Sequence, residues 1–196
     1  MSYKFYYTGP LIFQSRLTDE QLRKLIGLCK KDRKQSWNKN LAGLIKEEYR
    51  IEDQVALKTI LDPHLVYFKQ AYENWYQNTF KEISIAEAWV NFMKANESNP
   101  IHTHTRCDFS SVIYLSFPKN FKKEIDSTVT SGAKPGDINF LINALDTPFY
   151  INMKTLTPQV GDFLMFPASL PHLVNSFKSK GERISAAINF NINNDS

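Results

Sequence analysis

Residues 99–117, NPIHTHTRCDFSSVIYLSF, join a short histidine motif to a segment with strong β-strand character. Within this stretch, residues 110–117 are rich in β-branched and aromatic side chains, which predicts a strand. Five further segments after Ser84 have the same character and are bounded by Pro, Gly, Asn or Asp: 85–93, 138–142, 149–153, 163–166 and 183–192. Because no helical pattern separates these segments, we expect them to pair as antiparallel strands.

The residues before Ser84 have a mainly helical pattern. Thr18 and Gln21 match a capping box, so a helix is predicted over residues 19–31. Two more helices are predicted over residues 50–61 and 63–80, with a break at Pro63, because proline disrupts a helix.

These patterns predict one α+β domain that spans residues 1–196. Residues 1–83 are expected to form a mainly helical support, and residues 84–196 a β-rich core. Runs of strands that follow runs of helices are typical of a sandwich or jelly roll with helices packed on one face. The polar segment 119–134 is predicted to be an exposed loop or a lid.

Composition excludes several classes of protein. No apolar run is long enough to cross a membrane, and the excess of 24 Lys and Arg over 20 Asp and Glu is too small to indicate nucleic-acid binding. Only two cysteines occur, and Cys29 lies on an apolar helical stripe, which argues against a disulfide scaffold. The first ten residues lack the pattern of an export signal. A cytoplasmic protein is therefore expected.

Three of the four histidines have a spacing that suits a metal ion. His102 and His104 are two residues apart, so in an extended strand they point to the same side with Cα atoms roughly 6.6 Å apart. The third ligand must come from another strand, and His172, in FPASLPHLV, follows a predicted strand and a bend. Three protein ligands leave coordination positions open for other molecules. Imidazole suits Fe, Zn, Cu and Ni, so the spacing does not select the metal.

A carboxylate commonly completes such a ligand set, but the sequence has no good candidate. Asp108 would lie roughly 13 Å from His104 in an extended strand. Asp162 follows Gly161 and is interpreted as a turn residue. The simplest interpretation is a centre of three imidazoles. The remaining histidine, His64, is interpreted as structural.

Arg183 and Ser185 open the last predicted strand, eleven residues after His172. Because they are two residues apart, they share a strand face, and a guanidinium with a hydroxyl can hold a carboxylate. A surface salt bridge is the alternative for Arg183.

The chain resembles the double-stranded β-helix oxygenases that use Fe(II) and 2-oxoglutarate, and more narrowly a group common in tailed phages and marine bacteria. The resemblance rests on segments 102–104, 110–118, 158–172 and 182–189, with segment 41–48 reminiscent of the phage members. It implies a double-stranded β-helix with N-terminal packing helices. Most members have Asp at the position of His104.

Position by position, the resemblance implies a set of ligands and contacts. His102, His104 and His172 would bind Fe(II), while Arg183, helped by Ser185, would hold the distal carboxylate of 2-oxoglutarate. Tyr114 could donate its hydroxyl to the same carboxylate, and Asn91 is either a pocket residue or a core residue. No residue is assigned a catalytic role of its own, because the iron carries the chemistry.

The implied reaction is a hydroxylation that uses O₂ and 2-oxoglutarate. The substrate would be a small molecule or a protein side chain, a prolyl side chain being one candidate. Nucleic-acid demethylation is disfavoured. The family members with that activity carry a second Arg shortly after the arginine that holds 2-oxoglutarate, and residues 185–194 contain no arginine. The resemblance to phage members extends the expected location to the cytoplasm of a phage-infected host cell.

Two alternatives to this function stay open at the level of sequence. One is a jelly-roll binding or phage structural module in which the histidines hold a structural metal. The other is a cupin-type dioxygenase with three histidines that does not use 2-oxoglutarate. The sequence does not specify the substrate or the oligomeric state.

Overall fold

The computed structural model describes residues 9–32, 35–130, 132–143 and 151–193. Its strands are β1 Phe13–Arg16, β2 Glu48–Arg50, β3 Glu82–Lys94, β4 Asn99–His102, β5 Phe109–Ser116, β6 Ile138–Leu141, β7 Met153–Leu156, β8 Asp162–Pro167, β9 His172–Val174 and β10 Glu182–Asn193. Its helices are α1 Asp19–Leu28, α2 Gln54–Tyr76 and α3 Phe121–Ser127, with a 3₁₀ turn at Asn38–Asn40.

The strands form two antiparallel sheets that face each other as a jelly roll, which confirms the predicted fold class. The larger sheet has the order β1-β8-β5-β10-β3-β2, and the smaller has the order β4-β9-β6-β7. Tyr114, Leu164 and Phe166 of the larger sheet pack against Ile138 and Phe140 of the smaller one. This layer between the sheets contains the candidate site.

The opposite face of the larger sheet packs on the helices. Leu57, Leu61 and Phe68 of α2 lie in one apolar cluster with Ile113 and Ile188 of the sheet. Because successive side chains of a strand alternate between faces, β5 and β8 contribute to both layers, with Ile113 and Phe163 in this cluster and Tyr114 and Leu164 in the layer between the sheets.

The two long N-terminal helices differ in how well the sequence predicts them. Helix α1 begins at Asp19 with the predicted capping box between Thr18 and Gln21, and it ends at Leu28 rather than at residue 31. The predicted break at Pro63 is wrong, because Gln54–Tyr76 is one helix with Pro63 inside it. Burial of one face of α2 against the sheet outweighs the local cost of about 3 kcal/mol for an internal proline. In the described part of the chain, no helix has both the length and the apolar character needed to cross a membrane.

Four short strands were not predicted from the sequence. β1 and β2 lie before residue 84, so the N-terminal part contributes strands to the larger sheet as well as helices. β4 and β9 carry two of the candidate metal ligands. Part of the strand predicted over 149–153 lies outside the described residues, and β7 begins at Met153. The assignment of residues 1–196 to one domain, divided near residue 84, stays a prediction.

The segment 119–134 is more ordered than the predicted loop. It contains α3, where Phe121 is buried and stacks on Phe117, with ring centroids 4.7 Å apart. Glu124 of α3 accepts hydrogen bonds from the backbone N–H groups of Lys178 and Ser179, at 2.7 and 2.8 Å. These contacts tie the helix to the loop before β10.

Candidate metal centre

The jelly roll brings the three predicted histidine ligands together. His102 is the last residue of β4, His172 is the first residue of β9, and the two are paired directly across these strands. His104 lies two residues beyond β4, where its N–H donates to the carbonyl of Ala168 at 2.9 Å. One ring nitrogen from each histidine lies within 4.8 Å of the others. His104 therefore reaches the cluster from a loop, and not from the strand face that its spacing suggested.

Hydrogen bonds orient two of the three rings. Nδ1 of His102 lies 2.7 Å from the carbonyl oxygen of Pro100, and Nδ1 of His172 lies 2.9 Å from that of Leu170. A neutral imidazole that donates from Nδ1 presents the lone pair of Nε2. Such a second hydrogen bond is characteristic of metal-binding histidines, because it sets the tautomer and the ring orientation.

The environment of the cluster keeps the imidazoles neutral. Burial lowers the pKa of all three rings. The pKa of His104 falls to about 3, with smaller contributions from His172 and His102, and that of His172 falls to about 4. Neutral imidazole is the form that binds metal, so protons compete little with a cation near pH 7. The donor set thus fits a divalent transition metal.

Neither of the aspartates considered from the sequence joins this cluster. Oδ2 of Asp108 accepts the N–H of Ile192 at 2.9 Å, which ties it to the edge of β10. Asp162 forms an ion pair with Arg16 at 2.7 Å and accepts the N–H of Gln159. Among the described residues, the metal-ligating group consists of three histidines.

Arg183 lies in the same layer, in a cavity that also contains the three histidines. Its side chain is buried, with the residue 3% exposed, and Nη1 donates to the carbonyl of Gly136 at 3.3 Å. Nε has no hydrogen-bond partner among the described residues, and no carboxylate there forms an ion pair with the guanidinium. The surface salt bridge considered from the sequence is therefore wrong. A buried cation without a counter-ion is costly, which indicates that an anionic ligand belongs here.

Ser185 and Tyr114 lie beside this guanidinium. They face each other in the pairing of β10 with β5, and the Tyr114 ring centroid is 5.7 Å from Cζ of Arg183. Both hydroxyls are buried and lack partners within the described ranges. Burial raises the pKa of Tyr114 to about 12, so its hydroxyl remains a hydrogen-bond donor. The structure brings the three residues of the predicted carboxylate clamp together.

Four further polar residues lie in the same layer; Asn91 was already a candidate pocket residue from the sequence, and the other three were not assigned. Asn91 pairs with Ser185 across β3 and β10, and Asn189 lies four residues after Ser185 on β10. Their Oδ1 atoms, that of Asn99 and the hydroxyl of Ser110 are buried without partners in the part of the chain described. Buried polar groups are normally satisfied, so their concentration in the layer between the two sheets marks a ligand site. The two-residue spacing of Arg183 and Ser185 indicated this face in the sequence, and Asn189, four residues further on, lies on the same face.

Comparisons with known proteins agree with this geometry. A family model described as "Putative 2OG-Fe(II) oxygenase" matches residues 87–189, a range that contains every residue predicted for the site. A search of curated proteins gave no match.

Solved structures share the fold at low sequence identity. An oxidoreductase of the 2OG-Fe(II) oxygenase family from Burkholderia pseudomallei is 13% identical, with a TM-score of 0.58 over 95% of this chain and 87% of that one. A Pseudomonas putida prolyl-4-hydroxylase is 16% identical, with a TM-score of 0.58 over 92% and 91%. The viral collagen prolyl hydroxylase of Paramecium Bursaria Chlorella virus-1 is 14% identical, with a TM-score of 0.53 over 91% and 94%.

Proposed function

The chain belongs to the family of 2-oxoglutarate- and Fe(II)-dependent oxygenases, and from this premise we propose that His102, His104 and His172 bind its iron and that Arg183 binds its 2-oxoglutarate. The family makes the protein an oxidoreductase with Fe(II) as cofactor and 2-oxoglutarate and O₂ as co-substrates. The finer reaction proposed is hydroxylation of a C–H bond.

The observation that carries the proposal is the buried guanidinium of Arg183. It has no acidic partner among the described residues, and it shares a cavity with three neutral imidazoles. 2-Oxoglutarate has two carboxylates joined by a short chain, so one can pair with Arg183 while the other lies toward the histidines. This pairing compensates a buried charge that the protein leaves unbalanced.

Each residue of the clamp has a separate task. Arg183 already donates from Nη1 to Gly136, which orients the guanidinium and leaves its other N–H groups for a carboxylate. Ser185 and Tyr114 then donate their hydroxyls to the same anion, which satisfies groups that are otherwise buried without partners. The aromatic and aliphatic side chains between the sheets exclude water, which strengthens these charged contacts.

The histidines would hold the metal as neutral ligands. Nε2 of His102 and of His172 is available because Nδ1 of each ring faces a backbone carbonyl. When bound, Fe(II) supplies the oxidation of 2-oxoglutarate to succinate and CO₂ and of the substrate to an alcohol. Three neutral imidazoles would leave both positive charges of Fe(II) uncompensated, which would favour an anionic co-substrate whose other carboxylate Arg183 holds.

Two finer features belong to the proposal. The substrate is a small molecule or a protein side chain, and the similarity in fold to prolyl hydroxylases supports testing a prolyl side chain. The compartment is a cytoplasm, including that of a phage-infected cell, and the two free thiols Cys29 and Cys107 support a reducing environment.

The test is formation of the iron and 2-oxoglutarate complex. Anaerobic addition of Fe(II) and 2-oxoglutarate to the intact protein should give a weak visible charge-transfer band, and Arg183→Ala should abolish it. In air, succinate should form without added substrate. If the parent protein and the Arg183→Ala variant consume O₂ at the same rate, the protein is instead a dioxygenase that does not use 2-oxoglutarate.

A further inference from the structure

A second cavity lies on the outer side of the histidines. Trp89, Asn99, His102 and His104 line both this cavity and the inner one that contains Arg183. A molecule in the outer cavity would therefore lie next to the metal centre without occupying the space of the carboxylate clamp. This is the position that the substrate of the proposed oxygenase needs.

The outer cavity is lined by acidic and amide residues. Glu48 and Glu87 are part of its lining, and no described residue of that lining is a lysine or an arginine. Arg50, two residues after Glu48, places its guanidinium over the ring of Trp37, 5.2 Å from the centroid. The described lining of the cavity thus offers these two acidic residues no positive group.

Glu48 is the most buried of these groups. It lies on β2 opposite Asn91, is 2% exposed, and has Asn38 Nδ2 3.5 Å from Oε2. A Cβ on Gly43 would lie 3.3 Å from both Oε1 of Glu48 and Oδ1 of Asn99. The glycine therefore leaves open a space in which two acceptor oxygens approach one another.

An independent observation points to a ligand in this cavity. Asn189 is 5% exposed, lines the cavity, and has an Oδ1 atom that is buried without a partner in the described ranges. It pairs directly with Glu87 across β10 and β3, so both side chains are on the same sheet face. Trp89, two residues from Glu87, adds an aromatic ring whose centroid is 5.9 Å from that of His104.

We propose that the outer cavity is the substrate pocket and that it selects an organic cation, an alkylammonium or a guanidinium, held by Glu48, Glu87 and the face of Trp89. This inference rests on the proposed oxygenase function. A cation with several N–H groups satisfies the acceptors of Asn99 and Asn189 together with the two carboxyl groups, whereas a neutral ligand offers the buried carboxyl group of Glu48 no positive charge. Aromatic rings add attraction for cations.

This chemistry is shared by a free amine and by a lysine or arginine side chain. The binding test therefore compares Nα-acetyl-lysine methylamide with n-butylammonium, a small cation without a peptide unit. Two neutral probes complete the set: Nα-acetyl-norleucine methylamide, which has nearly the same shape as the lysine probe, and Nα-acetyl-proline methylamide. Binding is measured by calorimetry on the intact protein loaded anaerobically with Fe(II) and 2-oxoglutarate.

We expect the cations to bind at least about tenfold more tightly than the neutral probes, since a charged hydrogen bond contributes about 1.5–3 kcal/mol. Tighter binding of the lysine probe than of n-butylammonium assigns the cation to a polypeptide, and equal binding assigns it to a small amine. Glu48→Gln should weaken cation binding about tenfold or more, and Glu87→Gln, at an exposed position, about twofold to fivefold, and both should leave the norleucine probe unchanged. The matched control is Glu82→Gln, the same change on β3 outside this cavity.

The failures of the two proposals are distinguishable in the same samples. Loss of the charge-transfer band with cation binding retained overturns the oxygenase assignment and leaves the cation pocket in place. Three results with a normal charge-transfer band would overturn the cation pocket alone. These are neutral probes that bind as tightly as cations, no binding of any cation, or unchanged cation binding in both Gln variants. Because Glu87 is exposed, its variant remains informative even when Glu48→Gln does not fold.

Discussion

His102 and His172 lie directly opposite each other where β4 pairs with β9, and their ring centroids are 4.3 Å apart. One strand pair thus supplies two ligands from positions 70 residues apart in the chain, and each ring is oriented by a carbonyl two residues before it. The metal centre therefore depends on the register of this strand pair.

The first prediction concerns these two ligands. His172→Ala should abolish stoichiometric binding of Fe(II), or of Co(II) as a spectroscopic substitute, because two imidazoles cannot hold the ion as three do. The visible spectrum of Co(II) added to metal-free protein measures this binding. His64→Gln is the control, since His64 bonds to Ser15 and Gln21 away from the cluster. Undiminished Co(II) binding by His172→Ala would show that the ligands are elsewhere.

The second prediction concerns the unusual ligand His104. His104→Asp should retain iron binding and uncoupled succinate formation, because a carboxylate oxygen can replace the imidazole nitrogen at an iron site. His104→Ala should lose both. Iron content and succinate are measured on the same preparations. Equal activity of the parent and the Ala variant would remove His104 from the ligand set.

The third prediction separates the members of the carboxylate clamp. Ser185→Ala and Tyr114→Phe should each raise the KM for 2-oxoglutarate by about tenfold or more, since each removes a hydrogen bond to a charged group. The assay is succinate formation at varied 2-oxoglutarate concentration. Ser111→Ala is the control, because the Ser111 hydroxyl donates to the carbonyl of Ile188 instead. A KM that is unchanged in both clamp variants would contradict the assignment.

The fourth prediction concerns the pH dependence of stability. Burial, reinforced by the charge of Glu97, raises the pKa of Glu48 from its ordinary 4.5 to about 8 in the folded protein. Between these values the folded state keeps a proton that the unfolded state releases, so the stability falls as the pH rises, by at most about 1.4 kcal/mol per pH unit. Below pH 4.5 Glu48 is protonated in both states, so its contribution to the free energy of unfolding no longer changes with pH.

Glu48→Gln removes this titration. Its free energy of unfolding should depend less on pH than that of the parent. Between pH 5 and pH 8 the stability of the variant should therefore rise relative to that of the parent. Urea unfolding of the metal-free proteins at several pH values measures the difference. Parallel curves for the two proteins would show that Glu48 titrates normally in the folded state.

Local patterns were sufficient for much of the fold. The capping box of Thr18 and Gln21 and the segments that form β3, β5, β6, β8 and β10 could be recognised because these patterns arise from neighbouring residues. Pro63 shows the limit of this reasoning, because the packing of α2 on the sheet overrides a strong local signal. Pairing with distant strands, and not a local pattern, defines the short strands β1, β2, β4 and β9.

The same division applies to the site. By itself, the sequence determined which residue types were available: an H-x-H pair, a later histidine, and Arg183 with Ser185 at the spacing of one strand face. Only the tertiary structure decided that Arg183 is buried with no acidic partner in the described part of the chain and that Tyr114 lies opposite Ser185. It also brought Glu48 from β2 to the cavity beside the histidines. Burial and charge pairing depend on long-range strand register, and no local segment of the chain contains that information.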